Sequence, residues 1–346
     1  MALGVGLIGS GPGVSALHLP TLARLPGQFA VAGFTDSGSG RARVLADRWQ
    51  VPVAADVAAL AAHPSVDVLA VCSPPQLHAA HVLAGIEAGV RAILCEKPLA
   101  MTEEEARAVV DAARDSGVAL LVGTNHLHDS AWRRAKHHLL REGARVRTIG
   151  VAVALPPNSR YHELVTQYGS PAAAPPRRPP DLTDPAVAAD VVRQLVLGLA
   201  IHDLPAVRDL VPSFEAVDFA RFLPPIGLVV GFRASGVPVQ LAAVMLPDGP
   251  DATWTLTVGT SLDQLEIAYP PAFVHAGSAT VRVRAADGRV TEYAADAEDS
   301  YVSEWRALHA LAEGEHPTEY DDLLDDALYA IAVADGASAR IWEAAR

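Results

Sequence analysis

Up to about residue 125, short runs of apolar residues alternate with longer segments whose apolar positions recur at helical spacing. The runs Gly4–Ile8, Ala30–Thr35, Val66–Cys72, Ala92–Cys95 and Val118–Val122 are apolar at most positions, as strands covered on both faces of a parallel sheet must be. The helical segments between them have legible ends. One is predicted from about Glu103 to Ser116, with Thr102 as N-cap and Glu105 placed to complete a capping box. Its apolar stripe is Ala106, Val109, Val110 and Ala113, and Gly117 closes it. Strands and helices alternating in this way predict an α/β domain built on a doubly wound parallel sheet.

From about Val146 the period changes. Trp254–Val258 alternates apolar and polar residues, Val281–Arg284 repeats the pattern, and Asp287-Gly288 supplies a hairpin turn before Val290–Tyr293. This predicts a second, α+β domain with a large, mainly antiparallel, open sheet. Its free face is expected to meet helices or another copy of the chain, which implies a homodimer or homotetramer. The boundary is set at residue 125, giving domains 1–125 and 126–346. The last helices, about Ala297–Glu313 and Tyr320–Ala345, are amphipathic, and the final one is placed to pack back on the first domain. The proline-rich stretch Ser170–Pro185 reads as an irregular loop and a candidate lid.

Composition narrows the class. The 346 residues are 50% hydrophobic and 19% charged, which describes a packed core and not a disordered chain. With 27 basic and 40 acidic side chains the net charge is −13, so nucleic acid and anionic membrane are expected to be excluded as partners. The N-terminal residues lack the layout of a signal peptide, and no apolar run is read as a bilayer span, Gln194–Ile201 being among the longest. Two cysteines, Cys72 and Cys95, make no disulfide framework and fit a reducing cytoplasm.

Three features carry chemistry. The first strand runs into Gly9-Ser10-Gly11-Pro12-Gly13, a turn in which backbone amides can approach a pyrophosphate at the start of a helix. The spacing is imperfect: counted from Gly9 the third small position is Val14, and counted from Gly11 it is Ala16. Asp36 ends the second strand, where a carboxylate accepts from ribose hydroxyls and repels a 2′-phosphate; that favours NAD over NADP. The alternative is that Asp36 caps the next helix while Arg41 attracts a phosphate. Cys95-Glu96-Lys97-Pro98 follows a parallel strand directly, at the carboxyl edge where such sheets bind ligands. A partly desolvated lysine there can exchange a proton with a hydroxyl.

Gly9-Ser10-Gly11, Asp36, Ser73-Pro74-Pro75 with His78, and Cys95-Glu96-Lys97-Pro98 together resemble the glucose–fructose oxidoreductase/inositol dehydrogenase (Gfo/Idh/MocA) family. The resemblance covers the first 125 residues. It implies an oxidoreductase that oxidises a secondary hydroxyl of a polyol, cyclitol or sugar with NAD. It makes Lys97 catalytic, and it places Glu96, Ser73, Pro74 and His78 beside the cofactor. His78 has an alternative as a packing residue at the start of a Gln76–Ala88 helix. In Ala200–Pro205, within a long apolar helical segment, His202 resembles the family's substrate-domain histidine, the second catalytic group. Many family polyol dehydrogenases carry an aspartate four residues earlier; here that residue is Gly198, so His202 is expected to lack that partner.

Asn125, His126 and Tyr161 are weaker candidates for substrate contact, with His128 and His162 nearby. His126-x-His128 has strand spacing, but no carboxylate or cysteine set completes a metal site, so no metal is expected. His137-His138 in the basic helix Arg133–Arg141 reads as a solvated face. Three rival functions use the same residues: a keto-sugar or imine reductase, an NAD-dependent lyase or glycosidase with transient oxidation, and a non-catalytic NAD-binding regulator.

Overall fold

A computed structural model describes residues 1–141, 143–157, 160, 180–246, 249, 251–271 and 275–345. The chain divides into two compact units. One holds Met1–Thr124 and Tyr301–Leu328; the other holds the described residues from Asn125 to Ser300 and from Tyr329 onward.

In the first unit five strands form an all-parallel sheet in the order β2-β1-β3-β4-β5. They are β1 (Leu3–Ile8), β2 (Phe29–Thr35), β3 (Val68–Val71), β4 (Ala92–Cys95) and β5 (Ala119–Val122). All residues of β1, β3, β4 and β5 are buried, which is why their sequences read as continuous apolar runs. A single parallel bridge, Phe34 to Val53, lies outside β2. Counted as a reduced strand, it turns the order into 3-2-1-4-5-6, the doubly wound arrangement that leaves a crevice at the carboxyl ends where the strand order reverses.

Two apolar layers cover this sheet. On one side Val5, Leu7, Leu94 and Leu121 pack with Val302, Trp305 and Leu308 from the helix Ser300–Ala312. On the other, Val71, Ile93, Leu120 and Val122 pack with Val82, Val109 and Val110, and Tyr320, Leu323, Leu324 and Ala327 lie against that cluster. The helix Glu103–Ser116 buries Ala106, Val109, Val110 and Ala113. Thr102 accepts from the Glu105 amide in a completed capping box, and Gly117 ends the helix in a left-handed conformation, φ 71°.

The second unit is built on an eight-stranded sheet in the order β13-β12-β11-β10-β6-β9-β8-β7, in which only the β6–β9 pair is parallel. The strands are β6 (Val146–Leu155), β7 (Phe214–Phe222), β8 (Ile226–Ala234), β9 (Val237–Met245), β10 (Thr253–Thr260), β11 (Asp263–Ala268), β12 (Thr280–Ala285) and β13 (Val290–Tyr293). In β10, Trp254, Leu256 and Val258 are buried while Thr253, Thr255 and Thr257 are not. That is the two-residue period seen in the sequence. The expected fold class, a doubly wound parallel sheet followed by a large, mainly antiparallel one, is the fold observed.

The apolar segment around His202 departs from expectation. It is not one helix: Pro185–Gly198 is α-helical, Ala200–His202 is a 3-10 turn, and a new helix runs Leu204–Leu210. The stretch Pro185–His202 is also longer and more apolar than the sequence reading allowed, with mean hydropathy 1.3 over 18 residues. Its buried residues, Ala189, Val192, Val196 and Leu197, recur at helical spacing, and Arg193 pairs with Asp335 at 2.6 Å. That is the pattern of an amphipathic core helix.

Replacing Thr102 with alanine removes the acceptor for the Glu105 amide. The variant is expected to lose about 1 kcal/mol of stability, seen as a lower midpoint in urea unfolding with an unchanged slope.

Candidate active site

In the first unit the carboxyl ends of β1, β2, β3 and β4 lead into the candidate residues. Gly9 follows β1 with φ 98°, and a Cβ there would meet the Cys72 carbonyl at 2.6 Å; only glycine fits. Gly11 and Gly13 are different. Neither has a left-handed backbone, and an added Cβ would meet no protein atom within 4 Å. The hydroxyl of Ser10 is buried with no hydrogen-bond partner among the described residues. A glycine turn with open space above it and an unsatisfied donor, leading into the helical residues Val14–Ala23, fits a dinucleotide's pyrophosphate.

Asp36 follows β2 and does cap the next helix. Its carboxylate accepts from the Gly38 amide (2.8 Å), the Ser39 hydroxyl (2.7 Å) and the Ala42 amide (3.1 Å). Partial burial works to raise its pKa, but these bonds outweigh it and the pKa is lowered. The group therefore stays anionic at the end of β2.

After β3 comes Ser73-Pro74. The Ser73 hydroxyl meets His81 Nδ1 at 2.9 Å. His78 is 1% exposed, and its two ring nitrogens contact the Pro98 carbonyl (2.7 Å) and the Ser73 carbonyl (2.8 Å). Both nitrogens are thus spent on backbone. The packing role, and not direct cofactor contact, is what the geometry gives His78: it ties the turn after β3 to the turn after β4.

That second turn carries Glu96 and Lys97, and the Lys97–Pro98 peptide is cis. Burial lowers the Lys97 pKa, and the Glu96 carboxylate opposes this only in part. Burial alone would raise the Glu96 pKa; the hydrogen bond and charge of His18, helped by Lys97 and His78, bring it below the usual range. Glu96 Oε1 lies 3.0 Å from His18 Nε2, and Oε2 accepts from the Lys97 amide at 3.2 Å. His18, Trp305 and His81 were not singled out in the sequence. A histidine in an apolar helix and a tryptophan near the C-terminus carry no local signal of this arrangement.

In the second unit, His202 does have a partner. Asn125 donates from Nδ2 to the Ser300 hydroxyl at 3.0 Å, so its Oδ1 faces His202 Nδ1 at 3.1 Å and accepts. This places the proton on Nδ1. With Gly198 in place of the family's aspartate, His202 lacks that partner, and an amide orients it instead, from a point 77 residues away. With a bond at each end of its side chain, Asn125 positions His202.

His126 is likewise used internally. It is 4% exposed, stacks on Tyr269 at 3.7 Å between ring centroids, and donates from Nδ1 to Asp203 at 3.2 Å. Asp203, fully buried, also accepts from the indole of Trp254 at 2.8 Å. The segment Asn125–His128 is helical, so residues two apart diverge and the strand spacing read for His126 and His128 does not apply. Burial and Arg133 push the His128 pKa down to about 4. His138 is not on a solvated face: it is half-buried and meets Asp263 at 2.7 Å. Among the described residues no His/Cys/Asp/Glu group could hold a metal ion. Tyr161, His162 and most of the proline-rich stretch lie outside the described residues.

A parallel sheet whose carboxyl edge presents an open glycine turn, an anionic Asp36 and a lysine of lowered pKa defines a dinucleotide-binding domain. The model for the oxidoreductase family with an NAD-binding Rossmann fold (Gfo/Idh/MocA) matches residues 3–124. The chain is 46% identical over 104 residues to 1,5-anhydro-D-fructose reductase of Ensifer adhaerens, covering 29% of this chain and 30% of that protein. It is 36% identical over 140 residues to inositol 2-dehydrogenase 3 of Saccharopolyspora erythraea, covering 39% and 40%. These matches thus span well under half of those relatives. D-xylose 1-dehydrogenase (NADP(+)) 2 of Haloferax volcanii matches at 26% over 301 residues, 83% of this chain and 82% of that protein. Among solved structures, KijD10, a 3-ketoreductase from Actinomadura kijaniata crystallised with NADP, has the same fold: TM-score 0.74 at 22% identity, over 97% of this chain and 98% of that one.

Gly11→Ala tests the cradle directly. There is room for the methyl group within the protein, so the melting temperature should stay at the wild-type value. NADH affinity, read by fluorescence titration, should fall about tenfold or more, ~1.4 kcal/mol.

Proposed function

We propose that this protein is an NAD-dependent dehydrogenase acting on a secondary hydroxyl of a polyol, cyclitol or sugar derivative, with Lys97 exchanging the hydroxyl proton. The observation that carries this reading is a lysine of lowered pKa at the carboxyl edge of β4, in a domain whose glycine turn is open to a dinucleotide. Gly9–Gly13 and Ser10 would hold the pyrophosphate, Asp36 the adenosine ribose, and Ser73-Pro74 with Glu96 and Lys97 the nicotinamide end. The cofactor, when bound, supplies hydride transfer; the protein supplies position and proton exchange.

Lys97 serves as base only as the neutral amine. Burial stabilises that form, so a larger share of it is present near neutral pH than for an exposed lysine. His202, its ring set by Asn125, is the second unit's candidate for contact with the substrate. The neutral amide lends the imidazole no negative charge, so proton removal is assigned to Lys97 and not to a His–carboxylate relay. The anionic Asp36 supports NAD over NADP, because its charge opposes a 2′-phosphate whether or not it also caps the helix. Ketone reduction is the same reaction run backwards with Lys97 as ammonium donor. The names of the relatives, a reductase and several dehydrogenases, support this reversible chemistry.

The test is nicotinamide absorbance across a panel of cyclitols, sugars and ketoses, with NAD and NADP in parallel. Turnover is expected with NAD and is expected to vanish in Lys97→Ala while NADH still binds. A wild-type protein that binds NADH and turns over no panel member overturns the reading. Two further outcomes follow from the charges. Oxidation should rise with pH through a midpoint below that of an ordinary lysine, and reduction should fall through the same midpoint. Asp36→Ser should cut the preference for NAD over NADP about tenfold, ~1.4 kcal/mol.

A further inference from the structure

Glu96 is a carboxylate at the end of a fully buried strand, with 22% of its side chain exposed. Both of its oxygens are held. Oε2 takes the backbone amide of Lys97, and Oε1 takes His18. His18 is 1% exposed and closes a π-helical turn, Val14–His18, that begins just past the glycine turn. On its far side the indole of Trp305 donates to His18 Nδ1 at 3.3 Å, with the two rings edge to face, 5.9 Å between centroids. Trp305 is fully buried in the sheet's core cluster.

An indole N–H can only donate. Nδ1 of His18 therefore accepts, Nε2 carries the proton, and that proton is directed at Glu96. Burial disfavours a charge on this ring, but Cys72 and Glu96 together raise its pKa well above the ordinary value, and the indole is what opposes a second proton on Nδ1. The chain of bonds is thus polar in one direction, from Trp305 through His18 to Glu96 and the Lys97 amide. It joins three places far apart in sequence: the helix after the pyrophosphate turn, the lysine turn after β4, and a helix near the C-terminus. The other titratable groups around it are Cys72 beside His18, His78 near Glu96, and Glu304, which burial and then Glu96 hold towards its neutral form.

We propose that His18 and Trp305 are positioning residues that hold the Glu96-Lys97 turn in register with the cofactor-binding turn, so that the Lys97 amine is presented for proton exchange. This rests on the functional reading above for its catalytic consequence, but not for its structural one. Three variants of the full-length protein test it. His18→Leu removes both bonds. Trp305→Phe keeps a buried ring and removes only the donor. His18→Gln keeps an amide that can donate to Glu96 and accept from Trp305.

His18→Leu and Trp305→Phe are expected to lower kcat about tenfold to a hundredfold, the cost of a misplaced reacting group. NADH affinity should stay within about twofold, and His18→Gln should recover most of kcat. Independently of turnover, modification of Lys97 by trinitrobenzenesulfonate, quantified by peptide mass spectrometry without substrate, should be several-fold faster in His18→Leu than in wild type or His18→Gln. Should His18→Leu fail to fold, Trp305→Phe against wild type carries the same comparison. Unchanged kcat and unchanged Lys97 labelling overturn the proposal. So does a loss of kcat matched by an equal loss of NADH affinity that glutamine does not repair, which describes packing alone. If the wild type turns over no substrate, the functional reading falls, and equal labelling rates would then overturn the positioning role separately.

Discussion

A carboxylate that ends a buried parallel strand has to be compensated, and the first unit is arranged around that requirement. Glu96 sits where β4 gives way to the lysine turn. Burial there disfavours its charge, and the charge survives because His18 and the Lys97 amide each occupy one oxygen. Lys97 feels both effects, the burial that lowers its pKa and the carboxylate that resists the change. Without His18, burial would push the Glu96 pKa upward and weaken the counter-charge that Lys97 feels. The sheet's apolar layers limit water around these groups, so fixed hydrogen bonds do part of what solvent does elsewhere.

The second unit solves a similar problem with different parts. Asp203 is fully buried, and it is compensated by the indole of Trp254 on one oxygen and by His126 on the other. Tyr269 stacks on His126, and burial together with Asp203 and Asp129 pushes the phenol further towards its neutral form. This cluster surrounds the short helix Asn125–His128 and the 3-10 turn that bears His202. Its residues were legible in the sequence only as isolated polar side chains among apolar ones. What makes them a unit is that β10, one helix and one turn deliver them to the same buried volume.

The expectations that needed correction share one cause. The resemblance places His78 beside the cofactor, with packing as its alternative, and Asn125 and His126 are the sequence's weaker candidates for substrate contact. In the structure both nitrogens of His78 meet backbone carbonyls, Asn125 meets Ser300 and His202, and Nδ1 of His126 meets Asp203. Gly198 was read as the loss of a partner one helical turn from His202. The helix in fact ends at Gly198, and the partner arrives from another segment. Buried donors and acceptors pair with whatever the fold brings near them, and sequence separation has no bearing on that choice.

By itself the sequence determined the five strands of the parallel sheet and three of the second sheet, the change from parallel to antiparallel architecture, the capping box at Thr102, the glycine turn and the lysine at a strand's carboxyl end. Each rests on local periodicity, on a backbone conformation only glycine adopts, or on a residue's place at the end of a strand, and all of these are properties of neighbouring residues. Tertiary structure alone decided that Trp305 and His18 serve Glu96, and that Asn125 orients His202. Those are pairings across 77 to 287 residues. They exist because the desolvated charges and donors of a closed core must find one another, and only the folded chain says which ones meet.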